Sequence, residues 1–478
     1  MAQVESSVPV QALTVGGEMV TGDETRVVRS PWDGAAIAAV PLVGAAETRM
    51  AVAAAAQAMR KPLPPYERAE ILDRAAATIR QRREELARLL SREIGKPLKQ
   101  AFVEVDRCVQ TLTFSAIEAR TLAGRGIPVD AHPAGIGRRG YTIRVPIGVV
   151  AAITPFNFPF NLAAHKVGPA VAAGCGTVLK PASVAPLAAI ELVRILHEAG
   201  LPRELLSVVT GPANEIGGAL VEDARVRMIT FTGSAEVGWD LAGRAAKKHV
   251  SLELGNSTPV IVCVDADLDA AAEATAISGN GFAGQSCISV QRVLVDASVH
   301  GDFAERLVAA VERLKVGNPE NAETDVGPLI DDEARTRVGD WLDEATDEGA
   351  ELLAGGTFDG DHLRPTVLDR VPTSVQAWKR EIFGPVLGLR TFDSLAEAIR
   401  LANDTDYGLQ AGIFTRDLAT AIAASERLEF GGVTINEAPT FRVDQMPYGG
   451  TKESGNTREG PHYTVRDMTE ERMVVIKL

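Results

Sequence analysis

The clearest periodic stretch of the chain begins at Tyr66. Apolar Ile71, Leu72, Ala75, Ile79, Leu86, Leu89 and Leu90 recur at helical spacing until Gly95 and Pro97 stop the run. The spacing predicts one long amphipathic helix, its Arg- and Glu-rich face solvated through i,i+4 pairs. A second helix is predicted over 102–122. From Gly126 to Arg144 the pattern turns to Gly, Pro and alternating residues ending in Tyr141-Thr142-Ile143-Arg144-Val145, as in a protruding hairpin.

After it, short apolar runs alternate with helical ones. The runs 148–153, 177–179, 207–209 and 228–231 read as strands, with helices over 161–173, 184–199, 214–221 and 236–246. Continuous apolar strands joined by helices are buried on both faces, which predicts an α/β fold with a doubly wound parallel sheet. A second α/β region follows from Gly255, with strands over 260–264, 290–295, 386–392 and 411–414 and helices over 303–314, 332–348 and 395–403. The apolar end Arg472–Leu478 reads as a strand with no partner nearby in sequence. With the hairpin it is expected to add to another subunit's sheet.

Composition narrows the classes. A chain of 478 residues, 46% hydrophobic, has room for about two or three domains with real cores and is neither disordered nor collagenous. With 49 Lys+Arg against 63 Asp+Glu its net charge is −14, which argues against a nucleic-acid partner. Cys108, Cys175, Cys263 and Cys287 form no Cys-x-x-Cys pair and read as free thiols of a reducing compartment. No run approaches the ~20 apolar residues of a membrane span. Met1–Val10 lacks the basic and apolar regions of a signal peptide. A cytoplasmic protein is expected. The P-loop, His-Glu-x-x-His and Gly-x-Gly-x-x-Gly motifs are absent, so no metal is expected and the usual dinucleotide fingerprint is missing.

Three polar residues stand out. Cys287 follows a Gly-rich approach, Gly279, Gly281 and Gly284, that lets a ligand or another backbone come close; its alternative is a buried small hydrophobe. Glu253 lies between two leucines in a strand-like run, so it is either half-exposed or raised in pKa as a general base. Asn157, in Thr154-Pro155-Phe156-Asn157-Phe158-Pro159, lies past a parallel strand's C-terminal end, where such sheets bind ligands.

Together with Lys180-Pro181-Ala182-Ser183, Phe231–Gly238, Leu252–Gly255, Gly284–Cys287, Glu381–Pro385 and Met446–Gly455, these motifs resemble the aldehyde dehydrogenase superfamily along almost the whole chain. The resemblance implies a Rossmann-type NAD(P)-binding domain over 1–123 and 146–254. It also implies a catalytic domain over 255–464 and a small β oligomerisation element over 124–145 and 465–478, in a homodimer or homotetramer.

The resemblance implies roles as well. Cys287 would add to the aldehyde carbon, and the Asn157 amide with the Cys287 N–H would hold the oxyanion. Hydride would pass to the nicotinamide, leaving a thioester that water, activated by Glu253, would hydrolyse. Lys166 matches a proton-relay position, its alternative being a lysine that snorkels to the surface; Glu459 matches an assisting carboxylate. The cofactor, NADP or NAD, would lie against Ile153, Thr154, Pro155 and Phe156. Gly233 and Ser234 at a helix N-terminus would hold its pyrophosphate, Lys180 and Ser183 the adenosine ribose, Glu381 the nicotinamide ribose, and Phe383 would pack near the ring.

Two departures carry information. Ser183 stands where many NAD-preferring relatives have Glu, which removes repulsion of a 2′-phosphate and predicts acceptance of NADP. Asn161, His165 and Arg442 fall where relatives acting on aliphatic aldehydes carry apolar side chains. They predict a small polar or anionic aldehyde, as in the lactaldehyde dehydrogenase-like branch. The alternative for Arg442 is a local ion pair with Asp444. A coenzyme A-acylating enzyme is the alternative activity, and Glu253 argues for hydrolysis. A cofactor-free cysteine hydrolase would need a His base, and no His motif accompanies Cys287.

Overall fold

The computed structural model describes residues 8–22, 24–360 and 362–478. Most of Met1–Val10, read above for a leader, lies outside them. Two sheets organise the chain. The first has five parallel strands in the order 249–253, 226–232, 149–153, 177–180, 206–208. The central strand Val149–Ile153 is buried throughout, as a strand covered by helices on both faces must be. The second has seven strands in the order 351–354, 366–369, 386–392, 290–296, 258–262, 410–414, 432–435. It is parallel except where 351–354 joins its edge.

Helix Asn161–Ala173 is buried at every position, Lys166 included, so it crosses the interior and has no solvated face. The predicted helix from Tyr66 is two helices, Pro65–Gln81 and Arg83–Ile94, broken at Arg82 with φ −99° and ψ 19°. Arg82 spends its guanidinium at this corner on Glu85 and Glu191. The next helix runs Leu98–Thr121, starting earlier than predicted because Pro97 serves as its N-cap residue.

The terminal strand Thr469–Lys477 has a partner within the chain. It pairs antiparallel with Arg138–Pro146, in a three-stranded sheet completed by Gly126–Ile127. Strands within 13–41 and helices Ala45–Ala58, Leu268–Asn280 and Leu418–Arg427 complete the picture without having been foreseen.

Candidate active site

Parallel strands place their C-terminal ends along one edge, where ligands of such sheets bind. Ile153 ends one strand and leads into Thr154, Pro155, Phe156 and Asn157; Lys180 and Glu253 end two others. Thr232 ends a fourth and precedes Gly233 and Ser234. The second sheet meets this edge with opposite ends, since Cys287 precedes strand 290–296 and Glu381 and Phe383 precede 386–392. The Asn256 N–H, just past strand 249–253, donates to Glu381 at 3.0 Å.

The Cys287 loop starts from a contorted turn. Phe282 and Ala283 have φ 49° and 52° and Gly284 φ 70°. A Cβ at Gly284 would lie 2.0 Å from the Gly384 carbonyl oxygen, so glycine alone permits this approach. Asn157 Nδ2 donates to the Gln285 carbonyl at 3.1 Å, which ties the amide to the cysteine loop. Cys108, Cys175 and Cys263 are buried, whereas Cys287 keeps partial exposure, its Sγ 3.1 Å from Tyr448 Oη. Burial and then the Glu253 charge push the thiol well above its ordinary range, while the Tyr448 hydrogen bond and Arg442 oppose this.

Glu253 is buried, and neither carboxylate oxygen has a hydrogen-bond partner. Burial, then the charge of Glu459, pushes it up to about 8. Lys166 is buried too, donating to Glu459 Oε1 at 3.0 Å and Thr230 Oγ1 at 3.1 Å; it does not snorkel. Against its burial, Lys166, His165 and Arg442 hold Glu459 well below the usual carboxylate range.

Asp444 is the hub of the polar wall. It accepts from Arg107 Nη2 at 2.9 Å and Asn161 Nδ2 at 3.1 Å, and lies 2.9 Å from His165 Nε2. Burial opposes ionisation of Asp444, yet His165 and Arg107 hold its pKa far below normal. Burial and then Arg442 lower the His165 pKa. Arg442 does not pair with Asp444. Its Nη2 lies 3.3 Å from Glu459 Oε2, and its guanidinium carbon sits 3.7 Å from the Tyr448 ring centroid. Arg107, from helix Leu98–Thr121, takes Asp444 instead.

On the other side of the loop, Lys180 is buried with one hydrogen bond, to the Pro181 carbonyl at 3.3 Å. Burial and then the charge of Arg26 lower its pKa. Among the described residues neither Lys180 nor Arg26 has a carboxylate partner, and Ser183 is half-buried. The Thr154 N–H donates to the Lys180 carbonyl at 3.1 Å. Ser234 starts helix Ala235–Arg244 without a side-chain cap, so its first N–H groups are open to an anion. Phe156 and Phe383 meet edge to face at 5.8 Å. Burial raises Glu381 to about 7 against the Asn256 N–H. An open helix start, an ammonium without a counter-ion, a pair of aromatic rings and a buried carboxylate fit a dinucleotide cofactor.

Lys96, Glu104, Arg107 and Tyr448 were not singled out from the sequence. Lys96, fully buried, pairs with Glu104, donates to the Asn157 carbonyl at 2.7 Å and lies 3.7 Å over the Phe158 ring. Glu104 also accepts from the Phe160 and Asn161 N–H groups at 3.0 and 3.2 Å, capping the buried helix. The available signal was a carboxylate on the stripe of Ala101, Val105, Cys108 and Leu112.

The aldehyde dehydrogenase family model matches residues 19–474. The 3-sulfolactaldehyde dehydrogenase of Priestia aryabhattai is 44% identical over 466 residues, 98% of each chain. The lactaldehyde dehydrogenase of Methanococcus aeolicus is 36% identical, covering 97% of this chain and 99% of that one. The crystal structure of glyceraldehyde-3-phosphate dehydrogenase GapN from Methanocaldococcus jannaschii, complexed with NADP, superposes with TM-score 0.91 at 39% identity, covering 95% of this chain and all of that one. The chain belongs to the aldehyde dehydrogenase family. Its activity is the NAD(P)-dependent oxidation of an aldehyde.

Proposed function

We propose that this enzyme converts a small polar or anionic aldehyde to the free carboxylic acid and prefers NADP. The Cys287 thiolate adds to the carbonyl carbon, forming a C–S bond while the oxygen takes the electron pair. The Cys287 N–H and the Asn157 amide, turning from the Gln285 carbonyl, hold that oxygen. Glu381 and Phe383 would hold the nicotinamide, which would supply the acceptor for the hydride that leaves this carbon. A thioester remains on Cys287. Glu253 takes a proton from the attacking water, and the acid and thiol are released. Lys166 and Glu459, paired beside it, fix the local charge.

One observation carries the hydrolytic reading: Glu253 is a buried carboxylate beside Cys287 with both oxygens unpartnered. Handing the acyl group to coenzyme A would need no such base. Charge supports the substrate class. With Glu253 held largely protonated at neutral pH, Lys166, Arg107 and Arg442 face ionised Glu459 and Asp444, so one positive charge is uncompensated. The 44%-identical relative is named for a sulfonate-bearing aldehyde, in keeping with that charge. Gly233 and Ser234 would hold the pyrophosphate, Glu381 and Phe383 the nicotinamide half, and Lys180 with Ser183 and Arg26 a 2′-phosphate.

In this reading 1–123 and 146–254 form the cofactor domain, 255–464 the catalytic domain, and 124–145 with 465–478 the oligomerisation element. Tyr141, Ile143, Met473, Val475 and Ile476 are exposed on that small sheet, which supports a homodimer or homotetramer. Four free cysteines support a cytoplasmic location. No helix of the described residues is long and apolar enough to cross a membrane.

The test is a panel of 3-sulfolactaldehyde, lactaldehyde, succinic semialdehyde, glyceraldehyde 3-phosphate and propanal with each cofactor and with coenzyme A. Free acid is the expected product, with kcat/KM at least about tenfold higher for an anionic aldehyde than for propanal, since one good charge-assisted contact is worth that much. Acyl-CoA as product, propanal as the best substrate, or a higher kcat/KM with NAD than with NADP would each overturn the corresponding part.

A further inference from the structure

Tyr448 is a buried hydroxyl that the reaction described above leaves without a task. Its Oη lies 3.1 Å from the Cys287 Sγ. Its backbone is held at both ends: the Tyr448 N–H donates to the Glu459 carbonyl at 3.0 Å, and the Glu459 N–H returns to the Tyr448 carbonyl at 2.6 Å. The Arg442 guanidinium covers the ring face, 3.7 Å from its centroid, and draws electron density from the phenol. The groups facing the sulfur are Glu253 and Glu381, whose negative charge disfavours a thiolate, and Tyr448 and Arg442, which favour it. Of these, Tyr448 alone is in hydrogen-bond contact with the sulfur.

We propose that Tyr448 is a catalytic residue that donates its O–H to the Cys287 thiolate and so sets the nucleophile's ionisation, with Arg442 strengthening the donor from behind the ring. A thiolate can only accept, so the phenol must be the donor once the thiol has ionised. A hydrogen bond to the charged form favours that form. Tyr448 keeps its proton throughout, and the proton lost by the thiol passes to bulk water. On addition to the aldehyde the sulfur surrenders its charge and the O–H is released. The inference rests on Cys287 being the nucleophile.

The test follows alkylation of Cys287 by iodoacetamide against pH in the apoenzyme, with mass spectrometry locating the label. Tyr448→Phe keeps the ring and the Arg442 contact and removes only the donor. It is expected to alkylate about tenfold more slowly at neutral pH, its profile moved to higher pH, with binding of 2′,5′-ADP unchanged. Site-specific 3-fluorotyrosine at 448, a stronger donor of the same shape, is expected to move the profile to lower pH. A Tyr448→Phe profile that superposes on the wild type, or lies below it in pH, would overturn the proposal. Whether Cys287→Ser retains aldehyde-dependent NADP reduction is a separate result that bears on the nucleophile alone.

Discussion

A carboxylate that is buried and makes no hydrogen bond is costly to ionise, and Glu253 is such a group. With its pKa pushed up to about 8, the ionised fraction able to accept a proton grows as pH rises through neutrality. Where acyl-enzyme hydrolysis limits turnover, kcat is therefore expected to rise with pH and level off in the alkaline range. Glu253→Gln should abolish that limb and lower kcat by about 10²–10⁴-fold, which steady-state kinetics across pH would reveal. Cys287, Glu253, Asn157 and Lys166 stand out in the sequence because each is out of place locally or sits in a motif. Arg107 does not, since it acts through Asp444, 337 positions away; Tyr448 lies within the Met446–Gly455 motif, but its contact is with Cys287, 161 positions away. No local pattern encodes such pairs.

At the scale of elements, the buried Lys96–Glu104 pair joins the start of helix Leu98–Thr121 to the Asn157 segment and the N-terminus of helix Asn161–Ala173. Lys96→Met leaves Glu104 buried and unpaired and is expected to cost about 3–5 kcal/mol, read as a fall in Tm. Lys96→Met/Glu104→Gln, whose amide oxygen can still accept from the Phe160 and Asn161 N–H groups, should regain much of that stability while kcat stays low, because the Asn157 carbonyl still lacks its donor. Full recovery of kcat in the double variant would refute the positioning role. Gly284→Ala forces a Cβ to within 2.0 Å of the Gly384 oxygen, and little activity should survive in kinetic assays even of the folded fraction. Periodicity placed most strands and helices of the first sheet to within about three residues, because they alternate between apolar runs and turn signals. It passed over helices Ala45–Ala58 and Leu268–Asn280, whose alanine-rich sequences present little contrast between faces. It also ran through the break at Arg82, where the apolar spacing continues although the backbone does not.

For the molecule as a whole, the site exists because the C-terminal edge of one parallel sheet meets the opposite edge of another. The doubly wound first sheet was legible; the order of the seven-stranded sheet was not, since it depends on long-range pairings. The apolar chain end was read correctly as a strand, but its nine residue pairs with 138–146 lie within the chain. Its apolar side chains remain exposed all the same, Val475 by 52% and Leu478 by 78%. Removing residues 469–478 is expected to reduce the particle to a smaller assembly or monomer in sedimentation velocity. An unchanged sedimentation coefficient would mean that this element does not hold the oligomer.

Formation of a thioester on Cys287 with the cofactor, and its release by Glu253, can be followed directly in one variant. Glu253→Gln would be mixed with NADP and an anionic aldehyde, and the intact protein and its peptides weighed. One equivalent of NADPH is expected, with an acyl group on the Cys287 peptide that persists. Free acid produced at the wild-type rate, or an unmodified Cys287 after NADPH has formed, would contradict this mechanism.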